Sequence, residues 1–486
     1  MLRNLILKEL IEITTNSRSI FVLILCIVII PFSLFISSKQ YEREKEAYTE
    51  AKHIYEARSS GKSDANFIAE GYIPPSPLKI ISEGLSESFP DKIMAYNNQT
   101  KELIKDYRIV NPVGSLFGKI DFLNISTVLL SLLVLVFVFN SIIGEKESGT
   151  LKLIISNPVP RWKIILSKIA GNYIVFFISF CLGILIGIVI LLMTTSIPIL
   201  SNKYIQSLLL IVLITSFFLF ILFNLGIFLS IKSKNSGEAI TSSLLFWVFI
   251  TIIIPKVSPM IAQMIYPIES PSVVDKRISL KGDEINAEYN NSCKKLMHDI
   301  LLDRGINEYN ASPYSDDPNI KSAFDEYNQK LEGINQHLYD RQKREIGTIV
   351  KEYEDKKLTQ VNISKSISRL SPVSCYTYLV TDLTNTGIGE ISNLESNARQ
   401  FVISSQNDYY KEVCRNYRQY HFEHGYYTGN GAIDMSKVKV PTLNEYIYPT
   451  FLSCLSANWI DIVIILFYTI LFFALSVFSF IRYDVR

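Results

Sequence analysis

Six stretches of this chain are apolar over membrane length: residues 19–37, 123–143, 173–193, 207–231, 239–257 and 460–481. As a helix, each reaches across a hydrocarbon core about 30 Å thick. None carries Lys, Arg, Asp or Glu near its centre; Lys256 and Asp461 stand at ends. Leu, Ile, Phe and Val each favour insertion by about 0.3–0.6 kcal/mol at a helix centre, so every stretch inserts unaided. The sequence therefore predicts a mainly α membrane protein with six transmembrane helices. The first stretch is longer than a signal-peptide core of about 7–15 residues and has no A-x-A site after it, so it reads as a retained helix.

Orientation follows from Lys and Arg. Arg3, Lys8 and Arg18 precede the first span; Lys146, Lys152, Arg161, Lys163 and Lys168 lie between the second and third; Lys232 and Lys234 follow the fourth; Arg482 and Arg486 close the chain. The short loop 194–206 on the other side carries only Lys203. This is the positive-inside pattern, and it puts both termini in the cytoplasm. Two long segments, 38–122 and 258–459, then fall outside. The first opens with a charged helical stretch and passes through GYIPPSPLKIISEGL, which Pro74, Pro75 and Pro77 hold extended. The second is expected to be mostly helical, with Phe324, Tyr327, Leu331, Ile334 and Leu338 spaced three and four apart.

Residues 2–15 repeat Leu2, Leu5, Ile6, Leu10 and Ile13 on one side, with Lys8, Glu9 and Glu12 read as the opposite face. An amphipathic helix placed just before a span, here bounded as 1–18, is expected to lie in the membrane interface. The segment 144–172 holds a second short amphipathic helix. Thr150 is a suitable N-cap behind Gly149; Leu151, Ile154 and Ile155 give one apolar side; Asn157-Pro158 ends it. Pro160 fits the first turn of the next helix, anchored by Arg161, Trp162 and Lys163.

Other candidate sites are few. His421 and His424, near Cys414 and Glu423, share a helix face but fall short of the three or four ligands a zinc site needs, so no metal is expected. Cys293, Cys375 and Cys414 lie outside the membrane, and their spacing leaves both one disulfide and three free thiols open. Asn140 and Asn224 read as interhelical hydrogen-bonding groups. Asp121 and Asp461, at outer span edges, are expected to pair with Lys119 or Lys256 or to end a helix. Spans without central carboxylates argue against ion- or proton-coupled transport. Without G-x-x-x-x-G-K-[ST], G-x-S-x-G or H-E-x-x-H, the chain offers neither a nucleotide site nor a recognised hydrolase motif. Its net charge of +2, from 48 basic and 46 acidic residues, gives no nucleic-acid footprint.

The run IIGEKESGTLKLIISNPVPRWKIILSKIAG resembles the loop after the second span of ABC-2-type permeases. The resemblance extends to PPSPLKIISEGL, NPVGSLFGKIDF, SPVSCYTYLVTDLTNTG and the terminal RYDVR, over nearly the whole chain. Together these motifs resemble the bacterial subfamily with two large extracytoplasmic insertions. The resemblance implies a coupling helix at 150–157, docking in a separately encoded ATPase. Glu145, Glu147, Gly149 and Thr150 match the turn into that helix, Leu151, Leu153, Ile154, Asn157 and Pro158 its body and end, and Arg161 the start of the next helix. The first amphipathic helix would be the interfacial elbow helix.

The implied protein is a non-catalytic permease subunit of an ATP-driven exporter in the bacterial inner membrane. It binds no cofactor itself; ATP and Mg belong to the partner ATPase. A second permease copy or a homologous permease completes the pore, and membrane lipid surrounds it. The alternative is an ATP-driven scaffold or receptor that moves force or signals through its ectodomain instead of cargo. The aliphatic and aromatic spans suit an amphipathic peptide, lipid or drug better than a small ion.

Overall fold

The computed structural model describes residues 2–58, 67–96, 101–105, 120–197, 199, 201–307, 317–405 and 446–483. Among them, six helices are long and apolar enough to cross a membrane. The first span is part of a 42-residue helix, Ser17–Arg58, that runs on into the charged stretch after it and contains Pro31. The second occupies Phe122–Glu147 and the fifth Ser236–Ile265. The third is Arg161–Thr194, the fourth Asn202–Lys232 and the sixth Trp459–Ile481. A bilayer leaves backbone groups no water to bond, so helices satisfy them internally.

Two spans depart locally from α geometry, through π turns at Ile125–Leu130 and Phe249–Ile253. A π turn leaves a carbonyl outside the regular ladder. In the fifth span the Ile250 carbonyl accepts from the Ser371 hydroxyl at 2.7 Å. Asn224 is buried; its amide donates to the Phe220 carbonyl at 2.8 Å and its oxygen accepts from Ser476 on the sixth span at 3.3 Å. Asn140 accepts from the Ser236 hydroxyl at 3.2 Å. Both asparagines thus bond between helices.

The chain divides into two compact units, Met1–Pro255 with Arg369–Arg486, and Lys256–Ser368. The sequence read 258–459 as one mostly helical outer segment. In the structure its first part stands as a unit of its own, while its later part packs with the spans and the first insertion. The cause is motif pairing across the chain. Ser76 donates from its hydroxyl to the Thr384 carbonyl at 2.7 Å, and the Leu85 N–H to the Thr386 carbonyl at 2.8 Å. The proline motif of the first insertion is therefore bonded to the SPVSCYTYLVTDLTNTG motif of the second. Helix Pro372–Leu383 of that motif carries Tyr376 fully buried, its ring stacked on Phe218 at 4.5 Å and its hydroxyl within 2.7 Å of Ser126 and 3.0 Å of Thr215.

The first insertion also forms a three-stranded antiparallel sheet, β1 (Phe67–Tyr72), β2 (Lys92–Tyr96) and β3 (Lys101–Ile104), in the order β1-β2-β3. The sequence reading had no strands here. Register pairs Gly71 with Ile93 and Ile93 with Leu103. Ala69, Ile93 and Ala95 turn to one face and pack under Leu394, Ala398, Phe401 and Val402 of the helix at 389–405. Sheet and covering helix come from different insertions, so neither folds its apolar face without the other.

The second unit is a helical hairpin of Pro271–Asp303 and the 51-residue helix Pro318–Ser368. Ion pairs Arg341–Glu288 at 2.6 Å, Lys281–Glu345 at 3.0 Å and Arg277–Glu352 at 3.8 Å run in opposite sequence directions, which fixes an antiparallel pair. Cys293 and Cys375 are free thiols. Cys414, His421, His424, Lys119 and most of NPVGSLFGKIDF lie outside the described residues.

Asp121 ends a helix, as one of the two expectations had it. Its carboxylate accepts from the Asn124 N–H at 2.7 Å, capping the second span, and from the Glu83 N–H at 2.8 Å. Asp461 has a partner the sequence did not suggest: Arg369 grips it with two bonds of 2.8 Å. This fork-to-carboxylate geometry is among the strong ion pairs.

Candidate coupling site

The segment between the second and third spans turns at Gly149, whose φ of +72° lies in the left-handed region. No atom comes within 4 Å of a Cβ placed there, so the backbone angle, not space, calls for glycine. Gly149 itself occupies the N-cap of the seven-residue helix Thr150–Ser156. This corrects the expectation that Thr150 caps it: Thr150 is the first helical residue, and its hydroxyl sits 2.8 Å from that of Ser148. The helix stops at Asn157, whose backbone is extended and whose side-chain amide donates to the Leu153 carbonyl at 3.1 Å. Pro158, which follows, is exposed.

The faces of this helix differ sharply. Leu151 is 2% exposed, and Ile154 and Ile155 rest against the same core. Leu153 is 68% exposed, and Lys152 beside it also faces outward. A short helix thus presents one large aliphatic side chain outward while its opposite side is anchored.

The spans on either side of this helix are joined by a buried charge cluster. Lys168, 2% exposed, places Nζ 2.7 Å from Glu145 Oε1 at the end of the second span and 3.0 Å from Glu9 Oε1 on the N-terminal helix. Glu9 lies on the inward side with Leu5, Ile6 and Ile13, not on the polar face where the sequence reading put it. Close approach of that helix depends on Gly171, where an added Cβ would fall 2.7 Å from Glu9 Cβ. Oxygens of Glu9, Glu12 and Glu145 lie within 4.8 Å of one another, a grouping compatible with a cation. The Lys168 ammonium already supplies that charge to two of them.

Three further contacts tie the segment to the other spans. Arg161 donates to the carbonyls of Ile481 at 3.0 Å and Tyr483 at 2.8 Å, at the end of the sixth span. Lys146 donates to the carbonyls of Ile231 at 2.6 Å and Ser233 at 3.1 Å, at the end of the fourth, and lies 4.4 Å from the centre of the Tyr483 ring. Cations suit both places, because a helix C-terminus exposes unbonded carbonyls and the negative end of its dipole. Glu147 accepts from the N–H of Ser236 at 2.6 Å, and from its hydroxyl, where the fifth span begins.

The family model for ABC-2 family transporter proteins matches residues 3–485. The chain belongs to this family. It is a multi-pass membrane protein and a permease component of an ABC transporter. Among curated proteins no match is found.

Of the ten residues that the resemblance assigned to coupling in this ABC-2 protein, seven lie between the second and third spans, and Glu145, Glu147 and Arg161 stand on the span ends that flank them. Leu153, Asn157 and Pro158 are exposed; Leu151 and Glu145 are buried; Ile154 packs inward. Glu147 and Arg161 bond other spans, and Gly149 and Thr150 make the turn. Glu9 and Lys168 were missed as partners. The available signal was a carboxylate within the Leu5, Ile6, Ile13 stripe, and a lysine beside Ile164, Ile165 and Ile169.

Proposed function

We propose that this chain is the permease subunit of an exporter, and that helix Thr150–Ser156 is its coupling helix, seated in a cleft of a separately encoded ATPase that binds ATP and Mg. The observation that carries the reading is the 68%-exposed Leu153 on a helix whose other side is buried through Leu151, between two spans that the Lys168–Glu145 ion pair joins. An aliphatic side chain held out on a rigid mount is a plug for an apolar pocket, and burying it there is worth about 1.5–3 kcal/mol. A push on the helix reaches the N-terminal helix and the second span through Lys168, the sixth span through Arg161, and the fourth and fifth through Lys146 and Glu147. Both termini and the coupling helix lie in the cytoplasm, and two permease chains enclose the path.

Leu153→Asp is expected to abolish co-purification of the ATPase from native membranes while leaving the fold intact. Retained ATPase at wild-type stoichiometry would remove the assignment. Ile154→Asp is a poorer test, since Ile154 packs inward and its replacement disturbs the mount itself.

One observation favours the second reading, a scaffold that transmits force. The 51-residue helix Pro318–Ser368 would reach about 75 Å at 1.5 Å per residue. ATP-loaded inverted vesicles separate the two: an exporter accumulates substrate inside them, and a scaffold does not.

A further inference from the structure

Beside the connector, where the fourth and sixth spans end, lies a cavity of about 750 Å³. Its polar side carries four cations, Lys146, Lys232, Lys234 and Arg482. Among the described residues its lining holds one carboxylate, Glu147, which is already engaged with Ser236. Glu238 is close by, accepting the Lys234 N–H at 2.7 Å through its carboxylate. Lys146 is spent on helix-end carbonyls, but the side chains of Lys232, Lys234 and Arg482 are exposed and form no ion pair among the described residues. The cavity's other wall is apolar: Leu475 and the 62%-exposed Phe478, on the last turns of the sixth span.

We propose that this cavity binds the head group of an anionic phospholipid, with the phosphate among Lys232, Lys234 and Arg482 and an acyl chain along Leu475 and Phe478. A soluble anion would use the cations and leave the aromatic wall bare. A neutral lipid would use the wall and leave three unpaired cations. An anionic phospholipid satisfies both halves, and basic pockets between spans at a membrane surface have this chemistry. The inference needs only that the helix ends lie at a membrane face; it does not depend on ATPase docking. Its consequence reaches the same machinery, because Lys146 joins this cavity to the connector.

The test uses the full chain purified in neutral detergent, titrated with phosphatidylglycerol or phosphatidylcholine and read by native mass spectrometry. Wild type is expected to retain phosphatidylglycerol in preference to phosphatidylcholine. The triple variant Lys232→Gln, Lys234→Gln, Arg482→Gln is expected to bind it at least about tenfold more weakly, since each surface cation is worth about fivefold. A control that removes three cations elsewhere, Arg3→Gln, Lys8→Gln and Lys163→Gln, should stay within about twofold of wild type. Should the triple variant not fold, Lys234→Glu carries the same comparison. An equal loss in the control would make the attraction diffuse surface charge and overturn the site. Displacement of the lipid by millimolar glycerol phosphate would reassign the cavity to a free phosphate ester and overturn the lipid.

Discussion

Lys168 Nζ lies 2.7 Å from Glu145 Oε1, and the two residues belong to the two spans that flank the seven-residue connector helix. With Glu9 at 3.0 Å on the other side, one buried ammonium fastens three helices at the base of that connector. The connector is therefore not a loop hanging between spans.

Removing Lys168 leaves two carboxylates buried and facing each other. Lys168→Met is expected to cost about 3–5 kcal/mol. Adding Glu9→Gln and Glu145→Gln should restore part of the loss, because the uncompensated charge then disappears. Thermal unfolding in detergent of the single and triple variants measures both. A single variant as stable as wild type would show that the cluster carries no structural weight.

The two leucines of the connector separate packing from docking. Leu151→Ala should destabilise the protein by about 2–5 kcal/mol, as a buried large-to-small change does. Leu153→Ala should leave stability within about 0.5 kcal/mol, as for other exposed positions. Unfolding transitions of the two, side by side, give the contrast.

Gly149→Ala puts a Cβ on a residue with φ of +72° and is expected to cost about 1–2 kcal/mol, without any steric clash to relieve. Gly149→Asn should cost less, since asparagine tolerates the left-handed region. Equal losses in the two would point to a role other than backbone angle.

Glu390, on the helix at 389–405, makes the stability of the fold depend on pH. Burial raises its carboxyl to about 7; hydrogen bonds from Tyr446 at 2.6 Å and Asn393 at 3.1 Å pull the other way, and the charge of Asp382 adds to the rise. A carboxyl raised above its unfolded value of 4.5 stabilises the fold in its protonated form. That contribution is complete below about 4.5 and is lost as the pH climbs through about 7. Wild type should therefore unfold at lower temperature at about pH 8 than at about pH 6, and Glu390→Gln should flatten that difference. An unchanged slope in the variant would assign the sensitivity to another group.

The sequence located the spans because bilayer length is written in it: an apolar run without central charge inserts whatever follows. The connector was legible too, since Gly149, Leu151 and Asn157-Pro158 carry its turn, inward face and end locally. What escaped was long-range. Lys168 counted as one more cytoplasmic cation, because nothing in a linear reading joins it to a carboxylate 159 residues away. Arg369 and Asp461 are 92 apart, and Ser76 and Thr384 are 308 apart. The sheet escaped for the same reason. Its strands run four to six residues, and their apolar face is covered by a helix from the other insertion.

The most direct measurement places a photo-crosslinking residue at position 153 in native membranes and identifies its adducts by mass spectrometry, with the same probe at the outward-facing position 178 of the third span as reference. The account predicts an adduct with an ABC ATPase from position 153 and none from 178. No ATPase adduct from 153, with the protein folded and the ATPase present in the membrane, would contradict it.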